Sequence, residues 1–200
     1  RGAGGSGKTT TVYGLLARFP RVEHYSPTWT KGVPKSPRAF ELPGNLFVLG
    51  RYTGANCSGV DGWFPDRITM LIEHFAPKGH VLLESLIMSS SMKTFLQFKD
   101  QYPLVFLYLD TPADVCIQQI YKRNGGKPIK EADIRSHHRS IVNQRARVEA
   151  MGVKTEEVRA GPSAVDDLVK VMRKHGWSYS PLDGATPFRK MPASSPIFDN

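Results

Sequence analysis

Residues 2–9 read GAGGSGKT, an unbroken match to the pattern Gly-x-x-x-x-Gly-Lys-[Ser/Thr]. The stretch that follows, KTTTVYGLLARF, carries Val12, Leu15, Leu16 and Phe19 at helical spacing. Glycines let such a loop turn tightly enough for its N–H groups to converge on phosphate oxygens. A helix starting near Lys8 adds the positive end of its dipole to the same place. Lys8 then reaches the terminal phosphates and Thr9 holds Mg²⁺ through its hydroxyl. The motif assigns Gly2, Gly4, Gly5, Ser6, Gly7, Lys8, Thr9 and Thr10 to a nucleotide, with ATP and Mg²⁺ as cofactors. The competing reading is a glycine-rich loop with a chance lysine. Loops of this kind follow a buried strand, so a strand ahead of Arg1 is expected.

The 200 residues fit one domain, and 40% apolar content is ordinary for a packed core. No apolar run reaches membrane-spanning length and no charged-then-apolar signal segment is present. Cys57 and Cys116 form neither a disulfide framework nor a metal spacing, which suits a reducing cytoplasm. The net charge of +9 favours polyanionic partners without specifying a fold.

Five prolines between residues 20 and 45 predict a segment that is mostly loop. NLFVLG, HVLLESLI and PLVFLYLD read as short buried strands, and VKTEEV as a last one. Helices are predicted from Pro65 to Phe75, stopped by Pro77 and Gly79, over ADVCIQQIYKR after Thr111-Pro112, over 131–151 and over AVDDLVKVMRKHG. Apolar strands alternating with helices predict a parallel sheet covered on both faces, an α/β protein with the three-layer α/β/α architecture of P-loop kinases. The kinase domain is predicted over 1–177, with an irregular or partner-docked tail over 178–200.

A phosphate grip does not by itself choose between a motor, a switch and a kinase. No Asn-Lys-x-Asp segment of the GTPase type occurs, and the strand VLLESL carries one acid, Glu84, rather than two. A lone carboxylate at a strand end suits Mg²⁺ coordination or an acceptor group, with an ion pair or a cap as its structural alternative. Small kinases also close an arginine-bearing lid over the triphosphate. The segment 122–150, with Lys122, Arg123, Arg135, Arg139, Arg145 and Arg147 around a Gly-Gly hinge, fits that role. Its alternative is a solvated basic helix. Asp110 is expected to cap the next helix, and Asp66-Arg67 to lie on a helix surface.

The segments LGRYTGANCSGVDGW, GHVLLESLIMSS, LYLDTPADVCIQQIYKR and HHRSIVNQRARVEAMG, in order over residues 2–170, resemble the bacteriophage 5-hydroxymethyluracil DNA kinases. These are P-loop kinases that phosphorylate the hydroxymethyl group of a modified pyrimidine in phage DNA, priming further modification. The resemblance implies that Lys8 and Thr9 serve ATP and Mg²⁺, with Glu84 at the end of the strand facing the phosphates. It places Arg51, Tyr52, Cys57, Gly59 and Asp61 in the acceptor site and Arg123 at the lid entrance. Read from the residues themselves, Glu84 is a candidate metal or catalytic group and Arg139 the lid arginine assigned to the nucleotide. The family loop reads Cys-Gly-Gly-Cys-Asp where this chain has Cys57-Ser58-Gly59-Val60-Asp61, which argues against an essential cysteine pair. Its strand motif ends Glu-Gly where this chain has Glu84-Ser85, which narrows the space near the acceptor.

A primary hydroxyl is a poor nucleophile, so a carboxylate that takes its proton aids phosphoryl transfer. Asp61 is the first candidate for that base and Glu84 the second, Asp61 then holding the substrate. A base within DNA must leave the stack to be reached. Tyr52 and Trp63 offer aromatic surface beside the loop, and Lys31, Lys35 and Arg38 offer charge ahead of it. The implied partner is DNA carrying a modified pyrimidine, met in the host cytoplasm, with no membrane. The alternatives are a P-loop kinase of a free nucleoside, nucleotide or other small hydroxyl compound, and a non-catalytic nucleotide-binding regulatory module.

Overall fold

The computed structural model describes residues 1–25, 37–52, 59–60, 63–84, 89–179 and 189–190. The chain is a mixed α/β protein dividing into two compact units: Arg1–Thr11 with Leu86–Val171, and Val12–Ser85 with Met172–Asn200. Helix α1 (Lys8–Arg18) starts in the first unit and ends in the second. No helix among the described residues is long and apolar enough to cross a membrane.

In the first unit, β5 (Val105–Asp110) and β6 (Lys154–Arg159) pair in parallel, with Val105 opposite Lys154 and Asp110 opposite Arg159. The residue ahead of the glycine-rich loop joins this ladder. The Arg1 nitrogen donates to the Leu107 carbonyl and the Leu109 N–H donates to the Arg1 carbonyl, the bonding of a parallel neighbour. The Arg1 guanidinium donates to Gln144 Oε1 at 3.2 Å and lies 5.0 Å from the Phe106 ring centre. Burial pulls the Arg1 pKa down to about 10. The unit also holds α3 (Ser89–Leu96), α4 (Ala113–Arg123), α5 (Glu131–Ala150) and most of α6 (Ala164–Lys174). In the polar α5, Ile134, Ile141 and Val148 recur every seven residues and are the ones buried, so a single apolar stripe anchors the helix.

The second unit holds a five-stranded sheet in the order β4-β3-β2-β1-β7, formed by β1 (Val22–His24), β2 (Ala39–Leu42), β3 (Leu46–Leu49), β4 (His80–Leu83) and β7 (Arg189–Lys190). The expected parallel pairing holds for β3–β4 and for β5–β6, whereas β1–β2 and β2–β3 are antiparallel. The prediction of loop over residues 20–45 missed β1 and β2. Their prolines lie outside the strands, and Pro43-Gly44-Asn45 forms a hairpin turn in which Gly44 and Asn45 have φ of 72° and 55°. That turn is locked from elsewhere in the unit, because Trp177 Nε1–H donates to the Pro43 carbonyl at 2.9 Å. Trp177 packs edge-on to Phe19, and Tyr179 packs on both rings.

Helix α2 (Pro65–Phe75) matches the predicted bounds and ends in a tighter turn over Ala76–Lys78. It buries Ile68, Leu71, Ile72 and Phe75, and Phe75 stacks on Phe47 of β3 with ring centres 4.6 Å apart.

Candidate active site

The glycine-rich loop lies in the first unit, and its path is set by what its residues cannot carry. Gly5 has φ of +78°, and a Cβ there would lie 2.4 Å from the Cys116 carbonyl oxygen in α4. Glycine alone meets both the backbone angle and that approach. The loop carbonyls are held from two sides. Lys8, 8% exposed, donates through Nζ to the carbonyls of Gly2 and Ala3 at 2.9 and 3.0 Å. The buried Thr111 donates through Oγ1 to the Ser6 carbonyl at 2.9 Å. Thr11 closes the helix start, its hydroxyl and N–H both donating to the Gly7 carbonyl.

These groups fit a nucleotide's phosphates. The Ser6 hydroxyl oxygen is buried with no hydrogen-bond partner among the described residues, and a buried polar atom of this kind calls for a ligand or water. Lys8 holds its ammonium against the loop through the carbonyls of Gly2 and Ala3. Thr9, in the first turn of α1, carries a hydroxyl of the hard-oxygen type that Mg²⁺ accepts beside phosphate oxygens. Thr10 is exposed. Among the described residues no group of three His, Cys, Asp or Glu could hold a metal unaided.

Thr111 connects the loop to α5. Its own carbonyl accepts from the His138 ring at 3.2 Å and from the Cys116 thiol at 3.8 Å. Burial raises the Cys116 thiol pKa, the nearby Lys8 opposing it. Asp110 does not cap α4: Pro112 stands at the cap position, with no side-chain bond there. Its carboxylate instead lies at the exposed end of β5. Sequence reasoning missed Thr111 and His138. Thr-Pro directly after a strand is the local signal of Thr111, whereas His138 stands in the run SHHRS with no pattern to mark it.

The basic segment splits into structural and exposed arginines. Arg135 bonds Asp114 of α4 at 2.6 Å and lies 3.8 Å from Glu131. Arg145 bonds Glu149 and Glu157, and these two hydrogen bonds raise its pKa. Arg123 at the end of α4 and Arg139 on α5 are exposed, and among the described residues neither meets a carboxylate.

In the second unit the structure brings Arg51, Gly59, Val60 and Glu84 together. The Arg51 N–H donates to the Gly59 carbonyl at 2.8 Å, and the Val60 N–H donates to the Glu84 carbonyl at 3.0 Å. Glu84 follows β4 directly and is 6% exposed. Gly59 has φ of +54°, and a Cβ there would lie 2.5 Å from the Glu84 carbonyl oxygen. Tyr52 is buried and packs edge-on to Phe40, so it belongs to the core. Asp61, Cys57, Ser58, Ser85, Lys31 and Lys35 lie outside the described residues. Asp66 and Arg67 lie on α2, Asp66 exposed as expected.

The chain is 32% identical over 137 residues to the 5-hmdU DNA kinase of Pseudomonas phage PaMx11, covering 64% of this chain and 68% of that protein. It belongs to the 5-hmdU DNA kinase family. The likeness extends further in the 5-hmdU DNA kinase of Pseudomonas phage M6, 29% identical over 187 residues, or 88% of this chain and 97% of that one. The 5-hmdU DNA kinase 1 of Salmonella phage ViI is 26% identical over 140 residues, 66% of this chain and 61% of the relative. No protein-family model matches the chain. No solved structure matches it either.

Proposed function

We propose that this chain transfers the terminal phosphoryl group of ATP to the hydroxymethyl oxygen of 5-hydroxymethyluracil in phage DNA, in the host cytoplasm, priming the base for hypermodification. The observation that carries the proposal is the likeness to three phage 5-hmdU DNA kinases, one of them matched over 97% of its length. The glycine-rich loop, with Lys8 on its carbonyls, supports a nucleotide triphosphate as donor. The fold is read as a P-loop kinase of three-layer α/β/α type, with its kinase domain over 1–177, a lid over 122–150 and a tail over 178–200.

In the reaction, the acceptor O–H loses its proton to a carboxylate while its oxygen forms a bond to the terminal phosphorus. The bond between that phosphorus and the β–γ bridging oxygen breaks, and ADP leaves with the electron pair. Asp61 or Glu84 takes the proton and the other holds the acceptor beside Arg51 and Gly59. The loop N–H groups and Lys8 hold the phosphates, and Arg123 and Arg139 meet the charge spread over the transferring oxygens. Mg²⁺, when bound through the Thr9 hydroxyl and phosphate oxygens, neutralises charge on the β- and γ-phosphates, and Glu84 is the carboxylate offered to its shell.

Incubation with ATP and duplex containing 5-hydroxymethyluracil, followed by digestion and intact-mass analysis, is the test. A phosphate gain on the hydroxymethyl nucleoside is expected, and loss of that gain in Lys8→Ala and Asp61→Asn. A phosphate gain on added free 5-hydroxymethyl nucleoside, with none on the duplex, would replace DNA by a small-molecule acceptor. Tight ATP binding without turnover on any hydroxymethyl acceptor would replace the kinase by a nucleotide-binding module.

A further inference from the structure

Within the first unit, a ring on α5 reaches the residue that holds the glycine-rich loop. His138 Nε2 lies 3.2 Å from the Thr111 carbonyl oxygen. A carbonyl has no proton to give, so Nε2 carries the hydrogen and the ring donates. Thr111, 2% exposed, in turn donates through Oγ1 to the Ser6 carbonyl at 2.9 Å. The bonds run in one direction, from the imidazole to Thr111 and from Thr111 to the loop.

The orientation of Thr111 decides where its hydroxyl points. The peptide that joins it to Pro112 has no N–H, so only its carbonyl can hold it. Among the described residues that carbonyl accepts from the His138 ring at 3.2 Å and from the Cys116 thiol at 3.8 Å. A thiol is a weak donor, so the ring supplies the stronger bond. The loop residue at the far end, Ser6, keeps a buried hydroxyl oxygen with no hydrogen-bond partner among the described residues.

The apolar stripe of α5 delivers the ring. His138 stands four residues after Ile134 and three before Ile141, on the face of the helix that these two bury. The helix does not need the bond for its own placement. Ile134, Ile141 and Val148 anchor it, Arg135 bonds Asp114 of α4, and Arg145 bonds Glu157 of β6. Loss of the imidazole is therefore felt at Thr111 and the loop rather than along α5.

We infer that His138 is a positioning residue of the nucleotide site: through the Thr111 carbonyl it sets the hydroxyl that holds the loop at Ser6, and so strengthens the grip on the phosphates of ATP. The inference rests on the proposed nucleotide donor and deepens it, by naming a residue of α5 that acts through Thr111.

The test is calorimetric titration of the full chain with ATP in the absence of acceptor, beside steady-state kinetics with each substrate varied in turn. His138→Phe keeps a ring and removes the donor, and should weaken ATP binding by about tenfold. The KM for ATP should rise with it, while kcat at saturating ATP and the KM for DNA stay near wild type. His138→Gln restores an N–H donor and should recover most of the affinity. Thr111→Val combined with His138→Phe should bind ATP no worse than Thr111→Val alone, because both changes act on one bond to the loop. Losses that multiply in the double variant would make His138 independent of Thr111 and overturn the relay. If His138→Phe lacks a cooperative thermal transition, the ¹⁵N spectrum of the wild-type protein decides, with the His138 signal assigned by its absence in His138→Gln. Hydrogen on Nε2 is expected, and a ring with its hydrogen on Nδ1 alone overturns the donor role. Wild-type protein that binds ATP no better than His138→Phe overturns the positioning role alone. Wild-type protein that binds no ATP overturns the nucleotide reading, and the positioning role with it.

Discussion

The hydroxyl of Thr111 donates to the carbonyl of Ser6 at 2.9 Å, joining the turn after β5 to the middle of the glycine-rich loop. In a trans peptide the carbonyl and the next N–H point in opposite directions. Fixing the Ser6 carbonyl on Thr111 therefore aims the Gly7 N–H away from Thr111, on the opposite side of the same peptide. Thr111 is in this sense a positioning residue, and His138 holds its carbonyl in turn. Thr111→Val keeps the shape and removes the donor, leaving a buried carbonyl unsatisfied, a loss of about 1–3 kcal/mol. The expected outcome is a KM for ATP raised by about tenfold, with the KM for the acceptor unchanged and recovery in Thr111→Ser. Steady-state kinetics with each substrate varied in turn checks this.

Gly59 offers a second point of control, on the acceptor side. Its φ of +54° and the 2.5 Å approach to the Glu84 carbonyl leave no room for a Cβ. In Gly59→Ala the left-handed backbone alone costs about 1–2 kcal/mol, and the methyl group pushes the chain off Glu84. The expected result is a fall in kcat with acceptor, while ATP affinity measured by calorimetry stays near wild type. Equal losses on both substrates would assign Gly59 to stability rather than to the acceptor.

Trp177 is 1% exposed and its indole N–H reaches the Pro43 carbonyl. Trp177→Phe retains most of the apolar contact and loses that bond, with an expected destabilisation of about 1–3 kcal/mol. Trp177→Ala also opens a cavity, and about 3–5 kcal/mol is expected. Denaturant unfolding gives both values, and their order tests whether the hairpin turn is held by the bond or by the ring.

Much of this was legible in sequence where local signals and tertiary packing agree. Pro65 and the Pro77-Gly79 pair bounded α2 because proline suits the first helical turn and stops a later one. The glycine-rich loop declared itself by residue type alone. The strands β1 and β2 were hidden because prolines in the flanking segments dominated the window, although Pro-Gly-Asn between AFEL and LFVL is itself a hairpin signal. The structural roles of Arg135 and Arg145 were available from their spacing, since Glu131 and Glu149 stand four residues away. The Thr111–Ser6 bond had no local signal, since it joins segments distant in sequence that only the folded chain brings together.

His74 gives a pH dependence whose sign follows from its surroundings. Its Nε2 accepts from the Lys78 ammonium at 2.7 Å, a bond that only the neutral ring can make. Burial lowers its pKa below the ordinary 6.5, with Lys78 and then His24 adding repulsion. The unfolded chain therefore takes up the proton first, and stability rises with pH across the interval between the two values. The contribution is complete above about pH 6.5 and is lost as pH falls through the lowered folded value. His74→Gln keeps an acceptor for Lys78 and removes the titration. Thermal melting of both proteins from about pH 8 down to 5 should show the variant's melting temperature falling less than that of wild type below about pH 6.5. Parallel curves through that window would mean that His74 titrates alike in the folded and unfolded chains.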